Sequence, residues 1–218
     1  HRDLHSFPTR RSSDLQRAIG EKTRAIVVCS PSNPSGKVFS AEELDGIAAL
    51  CDARDLIAIT DEIYEHIVYD GTVHVPLATR GSARERTVTL SGFSKTFAIT
   101  GWRLGYLTAP AEAARRIEIA HDLLYVCAPT PLQYAMLPGL EMPESYYRDM
   151  TDAYAKKRDI LCDALSDAGL RPYVPRGAYY VLADIRKLGE PNAKAAAMTL
   201  LERTKIASVP EIGRASCR

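Results

Sequence analysis

The sequence predicts an α/β fold: a mostly parallel sheet belonging to part of a large domain, followed by part of a smaller α+β domain. Three observations carry that expectation. Continuous apolar runs of strand length recur as AIVVCS (25–30), LIAITDEIY (56–64) and TVTLSGF (87–93), the pattern of strands buried in a parallel sheet. Helical patterns alternate with the apolar runs, as in an α/β domain. Polar residues with chemical potential gather where the apolar runs end.

The elements follow in order. Residues 1–15, HRDLHSFPTRRSSDL, have neither helical nor strand periodicity, and the last eight, EIGRASCR, have none either. Both segments resemble translated sequencing adapters flanking an assembled fragment. Residues 1–15 and 211–218 are therefore expected to be non-native tails outside the packed core. They hold too few apolar side chains to offset an ordering cost of about 1–2 kcal/mol per residue. On this reading residues 16–210 are a fragment cut at both ends, with an α/β unit over 16–142 and a smaller unit over 143–210 that includes a long linking helix.

From Gln16 the pattern is regular. AIVVCS runs into the turn sequence Ser-Pro-Ser-Asn-Pro-Ser-Gly. SAEELDGIAALCDARD (40–55) opens with Ser40 and has Glu43 three residues later, a capping box ahead of an amphipathic helix. After LIAITDEIY and TVTLSGF, WRLGYLTA (102–109) makes a further strand, and Pro110 starts the helix AEAARRIEIAHDLLYV. A Pro-rich break, APTPLQ (128–133), precedes a long helical pattern from about 143 to 168, closed by Gly169. RPYVP (171–175) and AYYVLADI (178–185) read as short strands, 192–204 as a helix, and IASVP as a last strand.

Bulk properties narrow the function. With 218 residues, 46% of them hydrophobic, the chain can bury a sizeable core. A net charge of +1 gives no electrostatic case for nucleic acid or an anionic membrane. No apolar run reaches the roughly 18 residues of a membrane span, and no signal peptide opens the chain. Five scattered cysteines without a Cys-x-x-Cys pair read as reduced thiols of a cytoplasmic protein, with no metal site. A nicotinamide-dependent dehydrogenase is excluded because no Gly-x-Gly-x-x-Gly follows a strand.

In open α/β sheets, ligands bind beyond the carboxyl ends of the strands. Asn33 follows the first strand, Asp61 and Tyr64 the second, and Lys95 the third. Each has an ordinary reading: Asn33 a turn residue, Asp61 a cap, Tyr64 core, Lys95 a solvated charge. The chain nevertheless places all four on one rim. SGFSKTFAITGWRLGY (91–106) also leaves Lys95 among glycines and aromatics without a neighbouring acid, with Arg103 eight residues on. His66, His74 and His121 are isolated and read as surface or satisfied histidines. Trp102 and Phe93 read as packing, Glu62 as structural, and Tyr179 and Tyr180 as core at the junction of the domains.

SNPSG, DEIY, SGFSK with TGWRLGY, and PRGAYYVLADI (175–185) occur in the order and spacing of a known family. Residues 16–210 resemble the class I/II, fold-type I aminotransferases that use pyridoxal 5′-phosphate. The resemblance implies an enzyme that moves an amino group between an amino acid and a 2-oxo acid, as a homodimer when full length. It implies that 16–142 is the C-terminal part of the large domain and 143–210 a partial small domain. It also implies that Lys95 forms the Schiff base with the cofactor aldehyde and shuttles a proton. Asp61 would pair with the pyridine nitrogen, Asn33 and Tyr64 would bond the phenolate oxygen, and Arg103 would clamp the phosphate. Ser91 and Ser94 are both candidate phosphate donors, because this chain has Gly92 where many relatives carry serine. The family's glycine-rich phosphate loop and stacking aromatic would lie before residue 16, and its carboxylate-binding arginine after the Val-Pro at 209–210. A β-lyase or synthase of the same fold, or an inactive truncated translation, stays open at this point.

Overall fold

A computed structural model describes residues 12–211. The remainder of both expected tails lies outside the described residues. The sheet has the order β1 (Ala25–Cys29), β2 (Ile57–Asp61), β3 (Thr87–Gly92) and β4 (Gly105–Thr108). β1, β2 and β3 are parallel, and β4 runs antiparallel to β3. Cys29 lies opposite Asp61, and Asp61 opposite Leu90, so the carboxyl ends of three strands fall on one line.

The capping box forms as expected. The Ser40 hydroxyl accepts from the Glu43 amide at 3.3 Å, and the Glu43 carboxylate accepts from the Ser40 amide at 2.9 Å. This fixes the start of α2 (Ala41–Ala53), which turns Leu44, Ile47, Ala48 and Cys51 onto Val28, Leu56, Ala58, Leu77 and Ala83. The other sheet face is open among the described residues, with Val27 73% exposed. Strands that read as buried on both faces are thus covered on one.

Four expectations need correction. Residues 12–15 are not irregular: Ser12–Ala18 form a helix, α1, and Leu15 with Ile19 packs against the α2 core. These two positions share one helical face, and the Ile19 amide donates to the Leu15 carbonyl at 3.2 Å. β4 begins only at Gly105, because Thr100–Trp102 make a 3-10 turn and Arg103 adopts a left-handed backbone, φ +56°. The expected Pro-rich break holds only at 128–129, and from Thr130 the chain is already helical as α4 (Thr130–Leu140). Pro131 sits in its first turn, where a missing N–H leaves no bond unmade. Finally, residues 206–210 form no strand; no neighbouring edge pairs with them among the described residues, and Val209 is fully out in solvent.

The remaining elements match their signals. Pro110 precedes α3 (Ala111–Leu124), and α5 (Glu144–Asp167) ends before Gly169 at φ +76°. β5 (Arg171–Tyr173) and β6 (Leu182–Asp184) pair antiparallel, and Asn192 caps α6 (Ala193–Thr204) through the Ala195 amide at 2.9 Å.

The end of β6 gives a pH prediction. The Arg186 guanidinium and amide both bond the Asp184 carboxylate, which holds its pKa down to about 2. The unfolded value is about 3.9, so this pair stabilises the fold above about pH 4 and loses its effect as pH falls toward 2. In urea titrations the stability gap between wild type and Asp184→Asn should be constant above pH 5 and narrow below 4. A gap that does not vary with pH would contradict the pairing.

Candidate active site

The site is assembled where three loops meet. After β1, the Gly36 amide donates to the Ser32 carbonyl at 2.8 Å and the chain turns at Gly36, φ +68°. The Gly36 carbonyl then accepts from the amides of Arg176 and Gly177 at 3.0 and 2.9 Å. After β2, the Asp61 carboxylate accepts from the Ile63 amide at 3.3 Å, opening a tight turn that buries Tyr64 completely. Further on, the Tyr69 amide donates to the Arg176 carbonyl at 2.9 Å, and the Tyr69 hydroxyl to the Ala178 carbonyl at 2.5 Å. The segment Arg176–Ala178 is therefore held between the first two loops, and this delivers Tyr179 and Tyr180 to Tyr64.

The aromatic cluster is specific in geometry. The Tyr64 ring meets Tyr179 edge-on at 5.2 Å and Tyr180 at 6.0 Å between centroids. The Tyr64 hydroxyl donates to the Tyr180 hydroxyl at 3.2 Å. Lys95, in the turn after β3, brings Nζ to 6.0 Å from the Tyr64 ring centroid and 5.8 Å from that of Tyr179. Burial, reinforced by its bonds to Tyr180 and Tyr179, pushes the Tyr64 phenol far up.

Lys95, Ser94 and Tyr179 line a cavity of about 350 Å³ together with Tyr154, Lys157 and Arg158 of α5. Arg158 grips the Asp70 carboxylate with two bonds of 2.7 and 3.1 Å, and its guanidinium lies 4.8 Å from the Tyr69 ring centroid. That bidentate pair holds the Asp70 carboxyl below its ordinary range. It also fastens the long helix to the loop after β2.

The sequence-singled residues are not all on this cavity wall. Ser94 and Lys95 line it, and Tyr64 adjoins Lys95 through its ring. Asn33, Asp61, Ser91 and Arg103 do not line it. Asn33 is exposed in the loop after β1, and Asp61 ends β2 on the line of strand termini. The Ser91 hydroxyl is buried and donates to the Glu65 carboxylate at 2.6 Å, which also accepts from Tyr106 at 3.2 Å. Arg103 is exposed, and its guanidinium donates to the Thr100 carbonyl at 3.0 Å. Among the residues given ordinary roles, His74 contacts the buried Glu62 carboxylate at 2.8 Å.

Sequence reasoning passed over Lys157 and Arg158, and placed Tyr179 only near the junction. The run AKKRD reads as a solvated helix face, and only the tertiary contact with Asp70 reveals that Arg158 is buried. For Tyr179 the signal was the motif PRGAYY itself.

The chain matches the family model described as aminotransferase class I and II over residues 8–217, past both boundaries expected for the tails. It is 36% identical to an aspartate aminotransferase of Pyrococcus abyssi (strain GE5 / Orsay), over 90% of this chain and 51% of that protein. It is 38% identical to kynurenine–oxoglutarate transaminase 3 of Mus musculus, over 81% of this chain and 40% of that protein. Among solved structures, N-succinyldiaminopimelate aminotransferase from Mycobacterium tuberculosis superposes with a TM-score of 0.88 at 35% identity, covering 91% of this chain and 52% of the other. The chain thus spans about half the length of the relatives it matches.

Proposed function

We infer from one premise, that this chain belongs to the class I and II aminotransferase family, that the whole protein transfers an amino group between an amino acid and a 2-oxo acid. The observation that carries the reading is Lys95. Lys95 lines a cavity of about 350 Å³, and its amine lies over two tyrosine rings, 5.8 Å from the centroid of Tyr179 and 6.0 Å from that of the buried Tyr64. A cavity of that size, with an aromatic wall and the amines of Lys95 and Lys157 on it, suits a small planar cofactor. Pyridoxal 5′-phosphate, when bound, supplies an aldehyde that condenses with an amine and a ring that withdraws electrons.

Each residue then has a task. Lys95 Nζ provides the amine, and in its neutral form accepts and returns the proton of the substrate α-carbon. The Asp61 carboxylate holds a proton on the ring nitrogen from the end of β2. Asn33 and Tyr64 orient the ring through its phenolate oxygen. Ser91, Ser94 and Arg103 are the phosphate donors, with Ser94 favoured by its place on the cavity wall and Ser91 engaged with Glu65. Residues 16–142 form part of the cofactor domain and 143–210 part of the small domain, fastened together by the Arg158–Asp70 pair. We place the whole protein in the cytoplasm as a homodimer; no helix among the described residues is long and apolar enough to cross a membrane.

The test uses the complete reading frame, an amino acid labelled with nitrogen-15 and a 2-oxo acid acceptor. Label recovered in a new amino acid supports the proposal. Label released as ammonia, with no requirement for the acceptor, would assign the protein to β-lyase chemistry instead. In the same protein Asp61→Ala should lower turnover about 100-fold or more, the scale of losing one preorganised electrostatic partner. It should also weaken cofactor binding in an absorbance titration.

A further inference from the structure

We propose that Tyr179 is a positioning residue for Lys95: its phenol oxygen accepts a hydrogen bond from the Lys95 amine and holds that amine on the cavity wall beside Tyr64. The significance for transamination rests on the function proposed above; the contact itself does not. Tyr179 and Lys95 line the same cavity, and Nζ lies 5.8 Å from the Tyr179 ring centroid. The ring cannot swing away, because it is fixed on two sides. Tyr64 meets it edge-on at 5.2 Å, and Tyr154 of α5 stacks on it at 5.8 Å with an interplanar angle of 22°. The backbone before it is pinned by the amides of Gly177 and Ala178, bonded to the Gly36 and Ile67 carbonyls at 2.9 Å each. A side chain so constrained offers its oxygen at one fixed point, and a flexible lysine loses less freedom by meeting it there.

The charge environment agrees with the geometry. The titratable groups around Tyr179 are Tyr64 from the turn after β2, Lys95 from the turn after β3, Tyr180 beside it, and Tyr154, Lys157 and Arg158 from α5. Burial alone would push the Tyr179 phenol up. Hydrogen bonds from Tyr64, Lys95 and Tyr180, with the charge on Lys95, outweigh burial and leave it lowered.

The experiment is an ultraviolet tyrosinate titration of the 218-residue chain without cofactor, with circular dichroism confirming the fold. One of the eleven tyrosines should ionise ahead of the ordinary value of about 10. Tyr179→Phe, which keeps the ring and its stacking, should remove that early step. Lys95→Met should move the step up into the bulk of the titration, and Lys95→Arg, which restores a cation and donors, should bring it back. An early step that survives Tyr179→Phe, one that Lys95→Met leaves unmoved, or no early step at all would overturn the proposal. Because no cofactor or substrate is present, these results stand apart from the fate of the aminotransferase reading.

Discussion

Lys95→Ala is expected to abolish formation of a covalent imine with pyridoxal 5′-phosphate while leaving the fold in place. The amine sits at a cavity wall and the side chain is only half-buried, outside both apolar clusters. Truncation removes the nucleophile without opening a hole in the core, so the change in stability should stay within about 0.5 kcal/mol. Imine absorbance on titration with the cofactor reads the chemistry, and urea unfolding reads the fold. A variant that keeps the wild-type imine band would remove Lys95 from its assigned role. In the complete protein the same substitution should eliminate transamination.

Gly36→Ala should be among the most destabilising single substitutions in the chain. Gly36 has φ +68°, where a side chain costs about 1–2 kcal/mol. An added Cβ would fall 2.1 Å from Pro175 Cβ and 2.9 Å from the Gly177 carbonyl oxygen. Relieving that overlap means withdrawing the SNPSG loop from Arg176 and Gly177, a further cost of about 1–3 kcal/mol. Gly71→Ala isolates the two effects, since Gly71 has φ +71° but nothing within 4 Å of an added Cβ. Urea unfolding should show Gly36→Ala well below Gly71→Ala. Equal losses would mean that the loop does not depend on this close approach. The consequence reaches the site, because Tyr179 and Tyr180 follow the segment that Gly36 anchors.

The comparison with the sequence reading separates local signals from tertiary ones. The Ser40–Glu43 box, Pro110, Gly169 and the helix at 193–204 were legible because each acts within a few residues of itself. The three parallel strands were legible from their apolar runs, although only one of their faces is covered among the described residues. The turn of Thr100–Trp102 and the left-handed Arg103 were not, since TGWRLGY carries no residue that forbids a strand. Pro131 misled because a proline that ends one helix begins another equally well. IASVP has strand composition, but a strand needs a partner, and composition does not report one.

The site shows the same division. Motif spacing placed Asn33, Asp61, Tyr64 and Lys95 after strands, and β1, β2 and β3 do end on one line. Spacing could not show that Ser91 turns to Glu65, or that Arg158 leaves a charged helix face to bind Asp70. Both depend on contacts between residues 26 and 88 positions apart.

The most direct measurement of the central claim is reduction of the cofactor-treated protein with borohydride, followed by peptide mapping of the fixed label. A single labelled lysine at Lys95 is the predicted result, with the label absent from Lys95→Ala. Label spread over surface lysines, or carried by another lysine while Lys95 stays unmodified, would contradict it.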